Sequence, residues 1–145
     1  MGEARGKAWT LQCDGGARGN PGPAAAGYLL LDPLGRTVES HADYIGSATN
    51  NVAEYRALIA GLEAAARHGA QPLVVRMDSE LVVRQMTGEY RVKRAGLKPL
   101  HAAAQGAAAR IGGLTFRAVR REDNERADRL VNDTLDRILG SESPR

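Results

Sequence analysis

Apolar and polar residues alternate along Lys7–Asp14, where Trp9, Leu11 and Cys13 are separated by Thr10 and Gln12. A period of two is that of a strand with one face in a core. The run after it, Gly15-Gly16-Ala17-Arg18-Gly19-Asn20-Pro21-Gly22-Pro23, reads as a turn. Ala24–Asp32 predicts a second strand, stopped by Pro33-Leu34-Gly35-Arg36, and a third runs through about Thr37–Ile45. Three such runs joined by turn residues predict an antiparallel meander.

The period then changes. Leu58, Leu62 and Ala65, with Ala57 and Gly61 beside them, form the apolar stripe of a helix ending at His68-Gly69. Asn50 or Asn51 is its expected cap, and Glu54 lies on the same stripe one turn upstream of Leu58. Pro72–Met77 is a short aliphatic run, expected to be a strand buried on both faces. Asp78 follows it, and Ser79 can cap a short helix through Met86. Gly88–Lys98 is irregular and basic, with Arg91, Lys93, Arg94 and Lys98 around Tyr90. Pro99 suits the first turn of a helix to Arg110, and Leu114–Val119 predicts a last strand. A final helix, capped by Asp123 or Asn124, carries the stripe Ala127, Val131, Leu135 and Ile138. The order βββ-α-β-α-α-β-α predicts an α/β fold, a mixed sheet with helices on both faces.

At 145 residues the chain is expected to form a single domain, ordered over about 7–139, with frayed tails at Met1–Gly6 and Gly140–Arg145. Its composition is 43% hydrophobic and only 4% aromatic, so the core must be aliphatic. A net charge of +3 is compatible with a polyanionic partner. The lone Cys13 excludes an intramolecular disulfide and a Cys/His zinc cluster. No window resembles a signal peptide or a membrane span, so the expectation is a soluble, cytoplasmic monomer without membrane contact or small-molecule cofactor.

Candidate chemistry lies in four acids. Asp14 and Asp78 end predicted strands, whereas Glu54 and Asp128 open helical stripes. In an open α/β sheet such positions gather at one rim. Carboxylates crowded there repel one another and stay ionised only around cations. All-oxygen donors without Cys or His favour Mg²⁺ or Mn²⁺. Two such ions are the arrangement used for in-line displacement at phosphorus.

Four linked motifs then resemble the ribonuclease H type 1 family: Asp14-Gly15-Gly16…Gly19-Asn20-Pro21-Gly22-Pro23, Thr49-Asn50-Asn51-Val52-Ala53-Glu54, Asp78-Ser79 and Asn124-Glu125-Arg126-Ala127-Asp128. They stand in the family's order and cover essentially the whole chain. The resemblance implies a five-stranded sheet of order 3-2-1-4-5 with strand 2 antiparallel. It also implies cleavage of the RNA strand of RNA–DNA hybrids, giving 5′-phosphate and 3′-hydroxyl ends. By that similarity Asp14 bridges two metal ions, Asp128 helps hold the ion carrying the attacking water, and Glu54 and Asp78 hold the ion on the leaving oxygen. Glu54 would also meet a 2′-hydroxyl. Gly15 and Gly16 let backbone approach the minor groove, where 2′-hydroxyls distinguish RNA from DNA. Asn20, Thr49, Asn50, Asn51, Ser79 and Asn124 complete the expected substrate contacts, with Thr49 and Asn20 at positions used for the DNA-strand phosphate.

Two departures stand out. Val119-Arg120-Arg121-Glu122-Asp123 contains no histidine where many members carry a catalytic one, so Arg121 or Glu122 is expected to assist leaving-group or product release. Gly88–Lys98 is too short for the basic protrusion with which some members grip the hybrid. Two rival functions share the fold: a non-catalytic hybrid- or double-stranded-RNA-binding module, and a nuclease of DNA junctions. Retention of all four acids weighs against the first; the Gly-Gly and Thr-Asn-Asn motifs weigh against the second.

Overall fold

β1 (Trp9–Ala17), β2 (Gly22–Leu31) and β3 (Thr37–Ala48) form the meander, and β4 (Leu73–Met77) and β5 (Leu114–Ala118) extend it into a five-stranded sheet of order β3-β2-β1-β4-β5. This is a computed structural model and describes residues 7–140. The tail expected at 1–6, and that expected at 140–145 except for Gly140, which caps the last helix, therefore lie outside the described residues. β1 pairs antiparallel with β2 and parallel with β4, which in turn pairs parallel with β5. The helices are α1 (Asn50–Arg67), α2 (Glu80–Met86), α3 (Lys98–Ala108) and α4 (Glu125–Leu139).

The sheet is covered on both faces, but unequally. On one face Leu11, Cys13, Tyr28 and Leu30 pack with Leu58, Leu62 and Ala65 of α1 and with Ala104 and Ala107 of α3. Burial of each large aliphatic side chain contributes on the order of 2 kcal/mol. Trp9 packs at the edge of this cluster. On the other face α4 sets Val131 and Leu135 over Ala25. That helix lies across β1, β2 and β3.

The expected turn after Asp14 is in fact strand. Gly15 and Gly16 pair with Ala26 and Ala25 of β2, so β1 runs on to Ala17 and Asp14 sits within it, not at its end. Glycine is a poor strand former, and a packing requirement overrides that tendency here. A Cβ on Gly15 would lie 2.2 Å from the carbonyl carbon and oxygen of Ala53 and 2.5 Å from the amide nitrogen of Glu54. The missing side chain is what admits the first turn of α1 against β1.

Of the two helix caps left open, the first differs from expectation and the second falls on Asn124, one of its two candidates. Thr49, with φ −83° and ψ 164°, caps α1; its Oγ1 accepts from the Val52 amide at 3.2 Å. The cap hydroxyl must reach the third helical amide, and from Thr49 that amide is Val52. Asn50 is thus the first helical residue. At α4, Asn124 occupies the cap position at the end of a 3₁₀ turn, Arg121–Asn124, but its side chain makes no cap bond. β3 reaches Ala48, beyond the expected Ile45, through a register shift between Ala24 and Ala25 with Gly46 at φ +79°.

Gly15→Ala should therefore destabilise strongly, because its obstacle is backbone. We expect about 3 kcal/mol or more, the upper end for overpacking, hence a Tm lowered by roughly 6–12 °C. Gly61→Ala should cost less, since its nearest neighbours are side-chain atoms, Leu11 Cδ1 at 2.9 Å and Cys13 Sγ at 3.1 Å. Thermal unfolding by circular dichroism checks the order; equal Tm values for Gly15→Ala and the native chain would contradict it.

Candidate active site

Asp14 stands on the α4 face of β1, because side chains alternate along a strand and Gly16, two residues on, lies beneath Val131. Asp78 leaves the end of the neighbouring β4. Glu54 comes from the second turn of α1, brought in by the close approach at Gly15, whose amide donates to Glu54 Oε1 at 3.1 Å. Asp14, Glu54 and Asp78 each offer a carboxylate oxygen, all within 4.8 Å of one another. Asp128, in the first turn of α4, lies close enough for its charge to act on Asp14. All four line one cavity of about 370 Å³, with Gly15, Gly16, Arg18, Asn50 and Arg121.

Burial makes the crowding costly. Asp14 is 6% exposed and Glu54 8%. Burial, followed by the charges of Asp78 and Asp128, pushes Asp14 up to about 8. Burial and then the charges of Asp14 and Asp78 carry Glu54 well above the usual carboxylate range. Asp78 is also raised, chiefly by burial, with the Arg121 guanidinium opposing. Arg121 Nε lies 3.7 Å from Asp78 Oδ2, on a side chain that is 80% exposed. The predicted loop residue thus does reach the acids. Glu122 instead pairs with Arg120 at 3.4 Å.

The donor set suits a divalent cation. Its oxygens are hard ligands, and no sulfur or imidazole joins the group. Cys13 lies on the opposite face of β1, fully buried, with its thiol pushed up first by burial. A cation among these oxygens would replace the hydration that burial removes and offset the repulsion.

The expected substrate-contacting residues divide into ties and open groups. Asn124 is fully buried, and its Nδ2 donates to the Cys13 carbonyl at 2.8 Å. It pins α4 beside Asp14 and is not open to a substrate, contrary to expectation. Gly15 is likewise buried, its amide held by Glu54. Asn20 Oδ1 accepts from the Asn50 amide at 2.9 Å, and Asn50 Oδ1 from the Ala17 amide at 2.8 Å. Both asparagines are exposed, which leaves their Nδ2 donors free to turn outward. The Ser79 hydroxyl caps α2 through Val82 at 3.2 Å, as expected. Asn51 lines a second groove, of about 500 Å³, together with Leu81, Gln85, Tyr90, Arg91, Lys93, Arg94 and Leu97. The basic segment therefore walls an apolar groove next to the acid cavity.

Sequence reasoning missed Arg18, whose guanidinium pairs with Asp136 at 2.7 Å on the cavity rim. Its place within the first glycine-rich motif was the available signal. It also missed Gln85, buried in α2 and accepting from the Tyr55 hydroxyl at 2.6 Å, for which no local pattern exists.

Residues 12–134 match the reverse transcriptase-like family. A bifunctional protein of Mycobacterium tuberculosis is 46% identical over 127 residues, 87% of this chain and 35% of that protein. Its N-terminal RNase H domain, solved as a fusion, superposes with a TM-score of 0.89 at 42% identity, covering 94% of this chain and 99% of the other. Ribonuclease HI of Halobacterium salinarum is 45% identical over 85% of this chain and 62% of its own. LC11-RNase H1, obtained from compost and solved in complex with an RNA/DNA hybrid, is 46% identical with a TM-score of 0.85, over 90% of this chain and 99% of that one. The chain spans about a third of the mycobacterial relative.

The raised carboxyls dictate a pH dependence. Asp14 binds its proton in the folded chain up to about pH 8, but only up to about 3.8 when unfolded. Between those values the folded state holds more protons. This group's contribution is therefore complete in acid and is lost as pH rises through about 8, at roughly 1.4 kcal/mol per pH unit. Without metal, Asp14→Asn should melt higher than the native chain at pH 8, and the difference should shrink at pH 5. Mg²⁺ or Mn²⁺ should raise the native Tm more at pH 8 than at pH 5. Scanning calorimetry with and without chelator reads both; a metal effect equal at the two pH values would contradict the account.

Proposed function

The chain belongs to the reverse transcriptase-like family, in its ribonuclease H type 1 branch, and from that premise we propose that it hydrolyses the RNA strand of RNA–DNA hybrids. The observation that carries this reading is the convergence of Asp14, Glu54 and Asp78 within 4.8 Å, with Asp128 facing Asp14. A pair of bound divalent ions would supply an activated water and offset charge on the leaving oxygen. Asp14 and Asp128 would hold the ion on the water side, and Asp14, Glu54 and Asp78 the ion on the leaving side. The products would be 5′-phosphate and 3′-hydroxyl ends.

The chain's own residues do the positioning. Asp14 and Asp78 are fixed by adjacent strands, and the Gly15 amide holds Glu54. Rigid supports of this kind keep a reacting phosphate in line without reorganisation at the moment of reaction. Arg121 reaches from the exposed 3₁₀ turn toward Asp78, where it can neutralise charge on the departing oxygen. Being solvated, it is a helper and not an anchor. The groove with Arg91, Lys93 and Arg94 on its wall and Tyr90 and Leu97 within it suits the uncut DNA strand, read by backbone and stacking and not by base edges.

Cleavage of an end-labelled RNA–DNA duplex in Mg²⁺ or Mn²⁺ tests the reading. The native chain should cut the RNA strand and spare an all-DNA duplex. Asp14→Asn should lower kcat by a thousandfold or more, and Arg121→Ala by about tenfold. A gel shift without product would instead identify a non-catalytic hybrid-binding module, and wild-type turnover by Asp14→Asn would refute the metal assignment.

A further inference from the structure

The α4 face of the sheet is only partly roofed. α4 lies across β1, β2 and β3, while beside it a cavity of about 600 Å³ opens over Thr10, Val74, Arg76, Arg117, Ala118 and Val119. Two ladders place three polar residues in one row, of which Arg76 and Arg117 line this open area. Gln12 of β1 is level with Arg76 of β4, and Arg76 is level with Arg117 of β5. Neighbouring strands are about 4.8 Å apart, so the two guanidinium stems rise side by side. Like charges directly across a ladder destabilise a sheet. Neither arginine has an ion pair or side-chain hydrogen bond among the described residues. Gln12, 9% exposed, has no side-chain hydrogen bond among them either. Two unspent guanidinium groups lining an open cavity, Arg76 and Arg117, with Gln12 next in the row, are what an anion requires.

The row's position identifies the anion. Gln12 and Arg76 precede Asp14 and Asp78 by two residues each, on the same face, a step of roughly 6.6 Å along the strand. A strand whose phosphodiester sits at the acids would pass next over this row. On the reading proposed above, the uncut strand would take a different course, over the groove lined by Asn51, Arg91 and Arg94.

We propose that Arg76 and Arg117, with Gln12 between them and Asp14, form a subsite for phosphodiester groups of the RNA strand flanking the scissile bond. The subsite rests on the hybrid-cleaving reading above. Arginine forks can take one phosphate from two sides, and this relieves the repulsion between them. Such contacts hold the backbone and read no bases, so the subsite adds affinity and register without sequence preference.

The test uses Arg76→Ala/Arg117→Ala and the charge-preserving Arg76→Lys/Arg117→Lys pair, assayed on hybrids whose RNA extends progressively further past the cut. For the native chain KM should fall as the RNA lengthens. The alanine pair should lose that gain, with KM about tenfold higher on long substrates and kcat changed far less. The salt slope of its hybrid affinity, measured in the Asp14→Asn background, should drop by about 1–2. The lysine pair should retain most of both. The Tm of the alanine pair should be unchanged or raised, which a structural role for the arginines would not produce. Native cleavage with an unaltered KM and salt slope in the alanine pair would overturn the subsite alone. Failure of the native chain to cut any hybrid would overturn the reading beneath it.

Discussion

Repulsion among buried carboxylates is the constraint around which this molecule is arranged. Asp14 and Glu54, both nearly enclosed, and Asp78 bring three oxygens within 4.8 Å of one another, and Asp128 closes on Asp14 from α4. In the absence of a cation, burial and mutual charge raise Asp14 to about 8 and push Glu54 and Asp78 upward as well. A folded chain accepts such a cost where it has a use. On the proposed reading that use is to hold divalent ions at a phosphodiester, and the destabilised acids would give those ions their affinity.

Much of the remaining architecture keeps the acids from moving apart. Gly15 admits the Ala53–Glu54 backbone to β1, Asn124 ties the start of α4 to the Cys13 carbonyl, and Asn20 and Asn50 lace the β1–β2 turn to α1. Each tie joins a segment bearing an acid to another such segment. The glycine-rich motif is therefore a packing device as much as a contact surface. Charge is then laid out around the acids: Arg121 and Arg18 at the rim, Arg91 and Arg94 on one flank, Arg76 and Arg117 on the other.

The element order, the helices and the four acids were legible in the sequence through periodicity and motif spacing, whereas the sheet order followed from the family resemblance those motifs carry. Gly15 and Gly16 misled, since the turn tendency of glycine is local while the approach of α1 is a tertiary fact. Asn124 looked available as a substrate contact, yet one carbonyl in β1 absorbs its amide, a partner 111 positions away that no local rule predicts. The capping role of Thr49 could have been read from hydroxyl reach to Val52, but the two asparagines after it compete on composition alone. The row Gln12–Arg76–Arg117 stayed hidden because it exists only once parallel registers are set.

The central claim is that these carboxylates carry protons when empty and surrender them to a divalent ion. Titration calorimetry of Mg²⁺ or Mn²⁺ at pH 7, repeated in buffers of different ionisation enthalpy, counts those protons directly. The account predicts measurable proton release on binding, abolished or sharply reduced in Asp14→Asn. Binding without proton release, or equal binding by the native and substituted chains, would contradict it.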